Sequence, residues 1–156
     1  MSQRPQLIIG VGNPLRGDDG VGWMIAAKVK DELSDIRVVS SDGEPTKLIS
    51  LWQGYDDVLV MDAVCTGSAE AGSIHFWEVS HQELPAYNRI ASSHILGLHE
   101  AIELARALGS LPRYVAVVGI EAAVFDYNAV MSESVMLAAD TIAKNLIVNK
   151  GVFRHA

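Results

Sequence analysis

Cys65 is the only cysteine in the 156-residue chain. No intrachain disulfide can form, so stability has to come from packing. A reducing compartment is compatible with this, and the cytoplasm is the expected location. Positive charge is the scarcer sign: 12 Lys and Arg against 19 Asp and Glu leave a net charge of -7. The basic residues are scattered, so neither a nucleic-acid partner nor a polybasic membrane contact is expected. Apolar residues make up 49% of the chain, yet no run approaches the roughly 20 residues that a membrane span needs. The opening Met1-Ser2-Gln3-Arg4-Pro5 leads into an apolar run that stops at Gly10. That is too short for a signal-peptide core with a cleavage site. The G-x-S-x-G elbow and the H-E-x-x-H zinc motif are both missing. No Lys-Ser or Lys-Thr follows Gly17, which excludes a phosphate-cradling P-loop.

What is present alternates. Leu7 to Gly12 is a wholly apolar run and reads as a strand buried on both faces. Val21, Ile25, Val29 and Leu33 recur every four residues and mark a helix. Arg37 to Ser41 reads as a second strand, Thr46 to Trp52 as a short helix, and Val58 to Met61 as a third strand ended by Asp62. Gly72 to Val79 is a further strand of open direction, and Ser80 to Ser93 reads as a loop. Leu98, Ile102, Ala105 and Leu108 stripe a helix that Gly109 terminates. Tyr114 to Ile120 is the last core strand. Val135, Ala139, Ile142 and Leu146 mark a C-terminal helix, beyond which Asn149 to Ala156 are expected to fray. This order predicts one α/β domain over residues 1–156, a three-layer sandwich with a mainly parallel twisted sheet and helices on both faces.

Ligands of such sheets bind outside the carboxyl ends of the strands. Asp18 and Asp19 follow the first strand, Asp42 the second, Asp62 the third and Glu121 the last. His94 lies at the start of the helix after the long loop. Asp18 or Asp19 could instead cap a helix, and Asp42-Gly43 could be only a turn. Glu121 reads as a loop carboxylate. Asp62 sits in Leu59-Val60-Met61-Asp62-Ala63-Val64, where a buried charge needs a partner or a metal. Two carboxylates and an imidazole would make an open site for a divalent first-row metal. His99 is five helical steps from His94 and so on another face. His75 and His81 read as structural or exposed. Cys65 has no evident cation to lower its pKa and reads as a small, partly buried residue. Gly10-x-Gly12-x-x-x-x-Gly17 fits the dinucleotide fingerprint poorly, and the adjacent aspartates would repel phosphate.

Five blocks then carry a resemblance. They are Ile9-Gly10-Val11-Gly12-Asn13-Pro14-Leu15-Arg16-Gly17-Asp18-Asp19-Gly20-Val21-Gly22, Asp42-Gly43, Val60-Met61-Asp62-Ala63-Val64, Ser93-His94-Ile95-Leu96-Gly97-Leu98 and Val118-Gly119-Ile120-Glu121. In this order and spacing the chain resembles the hydrogenase maturation proteases. The resemblance implies a phosphorylase/hydrolase-like three-layer fold. It implies removal of a C-terminal extension from the large-subunit precursor of a nickel-iron hydrogenase, after nickel insertion. It also implies that Asp19, Asp62 and His94 bind nickel, or another divalent metal in its stead. Asp42 would stand behind them as an acid or general base. The expected partner is the precursor, met in a transient complex by a monomer. Many relatives read Asp-Gly-Gly-Thr where this chain has Asp42-Gly43-Glu44-Pro45-Thr46, a segment expected to touch the substrate.

Overall fold

A computed structural model describes residues 5–85 and 93–154, with the backbone alone described for 93–96. Its elements are β1 (Leu7–Val11), a 3-10 turn (Gly17–Gly20), α1 (Val21–Val29), β2 (Arg37–Ser41), α2 (Pro45–Trp52), β3 (Asp57–Val64), β4 (Ile74–Glu78), α3 (Ser93–Ala107), β5 (Tyr114–Glu121) and α4 (Glu133–Val148). The sheet order is β2-β1-β3-β5-β4. Four strands run parallel, and β4 closes one edge antiparallel to β5. The predicted three-layer arrangement is therefore the observed one.

Strand alternation splits the core into two sheets of side chains. Ile8, Leu59, Met61, Ala116, Val118 and Ile120 pack against α1 and α4. Leu7, Ile9, Val11, Val58, Val60, Val64, Val115 and Val117 pack against α2 and α3. The apolar strands predicted to be buried on both faces are so: β1 and β3 expose no residue.

Several boundaries differ from expectation. Helix α1 ends at Val29, but Leu33 stays buried because a turn carries its N–H to the Val29 carbonyl. Strand β3 runs on to Val64, so Asp62 lies inside the strand and does not end it. Pairing with β5 through Ala63↔Ile120 and Val64↔Glu121 holds that extension. Glu121 is accordingly the last residue of β5 and not a loop residue. Leu108, expected on the apolar stripe of α3, lies past its end and is exposed. Gly109 has φ +70°, the left-handed conformation expected of it. The tail is pinned up to Arg154. Asn145 exchanges two hydrogen bonds of 2.8 Å with the Arg154 backbone, and Phe153 stacks on Phe76 at 5.7 Å. Residues 155–156 lie outside the described residues, as does the part of the expected 80–93 loop from 86 to 92.

One close approach aligns α3 with the second strand's loop. A Cβ on Gly97 would lie 2.1 Å from the Gly43 carbonyl oxygen. The first turn of α3 can rest on that loop only because residue 97 has no side chain. Gly97→Ala should therefore push the turn away from Gly43 and cost about 1–3 kcal/mol, the usual range for overpacking. Urea unfolding of the variant checks this, and an unchanged midpoint would show that the contact does not constrain α3.

Candidate active site

The strand order reverses at β1. Its connection through α1 leads to β2 on one side, and the connection from β2 through α2 leads to β3 on the other. The crevice outside the carboxyl ends of β1 and β3 is thus the topological switch point, where open α/β sheets bind ligands. Backbone packing there is tight. A Cβ on Gly22 would lie 2.4 Å from the Val11 carbonyl oxygen and 2.6 Å from that of Met61. A Cβ on Gly10 would lie 2.2 Å from the Gly22 oxygen, and one on Gly12 2.0 Å from the Asp19 oxygen. Two of the glycines that suggested a nucleotide fingerprint, Gly10 and Gly12, therefore seat the start of α1 and its preceding turn on the sheet, while Gly17 lies against Val124. The Asn13 N–H adds a hydrogen bond to the Asp19 carbonyl at 3.2 Å.

This seating brings Asp19, three residues before Gly22, to the end of β1 beside β3. Asp62 follows Met61 on β3. Its neighbours Val60 and Val64 face α2 and α3, and the period of two puts Asp62 on that same face. Asp19 and Asp62 are both wholly inaccessible to solvent. His94 is the second residue of α3, whose first turn abuts Gly43 on the α2/α3 side; its side chain lies outside the described residues. Asp19 and Asp62 thus share the switch point, and the backbone of α3 enters at the same edge. An oxygen, oxygen and imidazole-nitrogen set on these three residues fits a divalent first-row ion, and burial of two carboxylates gives them reason to hold a cation.

The other acids have different fates. Neither Asp18 nor Asp19 caps a helix: the 3-10 turn starts from Arg16 and α1 from Gly20, both without a side-chain cap bond. Asp18 is a clamp. Its Oδ2 accepts from the Ala123 and Val124 N–H groups at 2.9 and 3.0 Å and from Ser132 Oγ at 2.8 Å, while Oδ1 accepts from the Ser132 N–H at 2.6 Å. One wholly buried carboxylate thereby ties the turn that carries Asp19 to the β5–α4 connection. Asp42 is exposed at the rim. Its Oδ1 accepts from the Glu44 N–H at 3.0 Å and its Oδ2 pairs with Lys47 Nζ at 3.0 Å. Glu44 in turn caps α2 through the Thr46 and Lys47 N–H groups. A bond from the Thr46 hydroxyl, together with these two, holds its carboxyl below the usual range.

Sequence reasoning placed Glu121 on this edge as a loop carboxylate and missed its burial and its partners. Glu121 is 3% exposed. It accepts from the Thr66 N–H at 2.8 Å and Thr66 Oγ1 at 2.6 Å, and it meets His75 Nε2 at 2.9 Å. The parity of β5 was the available signal, since Glu121 shares the inward face of Val115 and Val117. Burial works to raise its pKa, but the bonds from Thr66 and His75 outweigh that and leave it lowered. His75 is half-buried and paired, while His81 is exposed. Cys65 is half-buried, with Sγ 3.7 Å from the Ala122 carbonyl. Burial and the nearby Glu121 push its thiol pKa up, against a nucleophilic role.

The family model for hydrogenase maturation proteases (HycI) matches residues 20–149. Asp62 and His94 fall inside that match, and Asp19 lies one residue before it. No curated protein sequence matches the chain. The fold is that of several solved structures. The hydrogenase maturating endopeptidase HybD from E. coli superposes with a TM-score of 0.73 at 19% identity, over 92% of this chain and 90% of that one. The [NiFe] hydrogenase maturation protease HybD from Thermococcus kodakarensis gives 0.70 at 22% identity, over 92% and 96%. The solution structure of an endopeptidase from Escherichia coli gives 0.75 at 17% identity, over 94% of each. The fold is a three-layer α/β/α sandwich with two buried acids at the carboxyl edge of its sheet. The chain belongs to the hydrogenase maturation protease family and is an endopeptidase of that kind. Among the described residues, no helix is long and apolar enough to cross a membrane.

Two predictions follow from the buried acids. Asp18→Asn keeps the shape but replaces acceptor capacity with an N–H2 group facing donors. It should cost about 3 kcal/mol and lower the melting temperature by roughly 6–12 °C, read by thermal unfolding. A melting point within a degree or two of wild type would remove Asp18 from the framework. The lowered pKa of Glu121 stabilises the fold above its unfolded value of about 4.3. That contribution is lost as pH falls through the folded value. The stability gap between wild type and Glu121→Gln should be constant from pH 7 to about 5 and then shrink. Urea titrations at several pH values measure it, and a gap that widens in acid would contradict the assignment.

Proposed function

We propose that this endopeptidase removes the C-terminal extension of a nickel-iron hydrogenase large-subunit precursor after nickel insertion. In this reading Asp19, Asp62 and His94 grip the nickel that the precursor carries. The observation that supports it is the pair of wholly buried carboxylates at the switch point. Carboxylates withdrawn from water favour a cation strongly, because the surrounding low dielectric raises the value of each opposite charge. An imidazole on the first turn of α3 completes a donor set that suits nickel and discriminates against larger, all-oxygen ions.

The nickel is part of the substrate here, so its presence licenses docking. A precursor without metal would bring no cation to the two acids. Its docking would lack the attraction that a buried carboxylate has for a positive ion. Metallation thereby becomes a checkpoint before cleavage. Asp42, engaged with Lys47 and the Glu44 N–H, shapes the rim loop on which α3 rests. A chain with a single half-buried thiol suits the cytoplasm, where nickel insertion would precede trimming. The enzyme acts as a monomer in a transient complex with the precursor.

Asp19→Asn, Asp62→Asn and His94→Ala should each leave the fold intact and reduce processing of nickel-loaded precursor by at least about 100-fold, the effect of losing about 2.7 kcal/mol of binding or transition-state stabilisation. Gel-shift assays of C-terminal trimming, on nickel-loaded and nickel-free precursor, measure this. Equal cleavage of the two precursors would end the checkpoint idea. Nickel-free precursor cut only after metal is given to the enzyme would assign the ion to the enzyme instead.

A further inference from the structure

If the acids at the switch point hold nickel, the water that attacks the peptide needs a base from elsewhere on the same edge. Asp18 is committed to four donors, Asp42 is paired with Lys47 at the exposed rim, and the Cys65 thiol is pushed up in pKa. His75 is differently placed. Asp62 pairs in register with Gly119, and Gly119 with His75, so the three form one transverse row across β3, β5 and β4. Residues in such a row share a face of the sheet, and two strand spacings separate Asp62 from His75 by roughly 10 Å. Gly119 contributes no side chain between them. Trp77 and Val64 close over it instead, within 2.7 and 2.9 Å of where a Cβ would stand.

The His75 ring is held from two directions. Its Nε2 meets Glu121 Oε1 at 2.9 Å, and its plane stacks on Trp77 at 5.1 Å and 6°. Glu121 is itself fixed by both Thr66 bonds. A carboxylate acceptor selects the tautomer with the proton on Nε2, which leaves a lone pair on Nδ1. The side chain keeps 22% of its surface open, and Nδ1 makes no hydrogen bond with the described residues. This is the arrangement of an oriented general base: a buried carboxylate behind, a partly exposed imidazole in front, and a second ring nitrogen left as an acceptor.

We propose that His75 is the general base of peptide cleavage and Glu121 its positioning residue, an inference that rests on the function proposed above. The water oxygen adds to the scissile carbonyl carbon as one of its protons passes to His75 Nδ1. The C–N bond then breaks, and the same proton passes from Nδ1 to the departing amine nitrogen. The products are a new C-terminal carboxylic acid, which gives up its remaining proton to solvent to become a carboxylate, and a free amine, with His75 returned to its starting state. The docking triad and the proton-transfer pair are thus separate parts of one edge.

The test measures single-turnover cleavage of nickel-loaded precursor and, separately, precursor affinity. His75→Ala should slow cleavage by about 100- to 1000-fold, with Kd within twofold of wild type, and added imidazole should restore part of the rate. Asp62→Asn should instead weaken binding, which sets the two roles apart. Cleavage by His75→Ala within threefold of wild type would overturn the proposal. So would a loss that tracks weakened binding, or a slow variant with normal Kd that imidazole does not rescue. If His75→Ala does not fold, His75→Gln carries the same rate and affinity comparison. Failure of the wild-type enzyme to cleave the precursor would instead refute the functional reading, and this proposal with it.

Discussion

Everything at the site depends on how closely the start of α1 approaches two strand ends. The Gly22 backbone lies against the carbonyl oxygens of Val11 and Met61 with no room for a Cβ. Gly10 and Gly12 make the matching surface on the β1 side. A side chain at any of the three would lift the helix from the sheet. That lift would open the crevice into which Asp19 and Asp62 are folded. Burial of two acids is costly, and the packing of roughly three dozen apolar residues around the sheet has to sustain it. The site is therefore held by backbone contact more than by side-chain interlock.

The neighbouring acids show how context divides one residue type into several roles. Asp18 and Asp19 are adjacent in sequence and equally buried. Asp18 faces the β5–α4 connection and is saturated by its donors, which makes it structural. Asp19 sits on the turn whose backbone meets the end of β1 at Gly12 and Asn13. Asp42 remains in water and organises a turn and a helix start. Glu121 is buried among Thr66 and His75, and its bonds favour the ionised form over the burial that opposes it. Charge at this edge is thus graded from framework, through the crevice, to rim.

The architecture was legible because periodicity reports burial directly. Val135, Ala139, Ile142 and Leu146 face the core as their spacing predicts, and β1 and β3 are buried throughout because helices cover both faces. The ends of elements were less legible. Asp62 looked like a stop and is a mid-strand residue, since β5 supplies partners for two further positions. Leu108 looked like core and is exposed, because α3 stops one residue earlier. The tail looked free and is fastened by Asn145 and Phe76, contacts that no local pattern encodes.

The sequence by itself determined the layer order, the mainly parallel sheet and the acids gathered near the strand ends, since each follows from short-range spacing, and its motif blocks carried the family resemblance. Tertiary structure alone decided which acid does what. The separation of Asp18 from Asp19, the pairing of His75 with Glu121, and the row that joins Asp62 to His75 through Gly119 all depend on strands distant in the chain. Register between such strands is fixed by the packing of two sheet faces at once. A local motif carries no record of it.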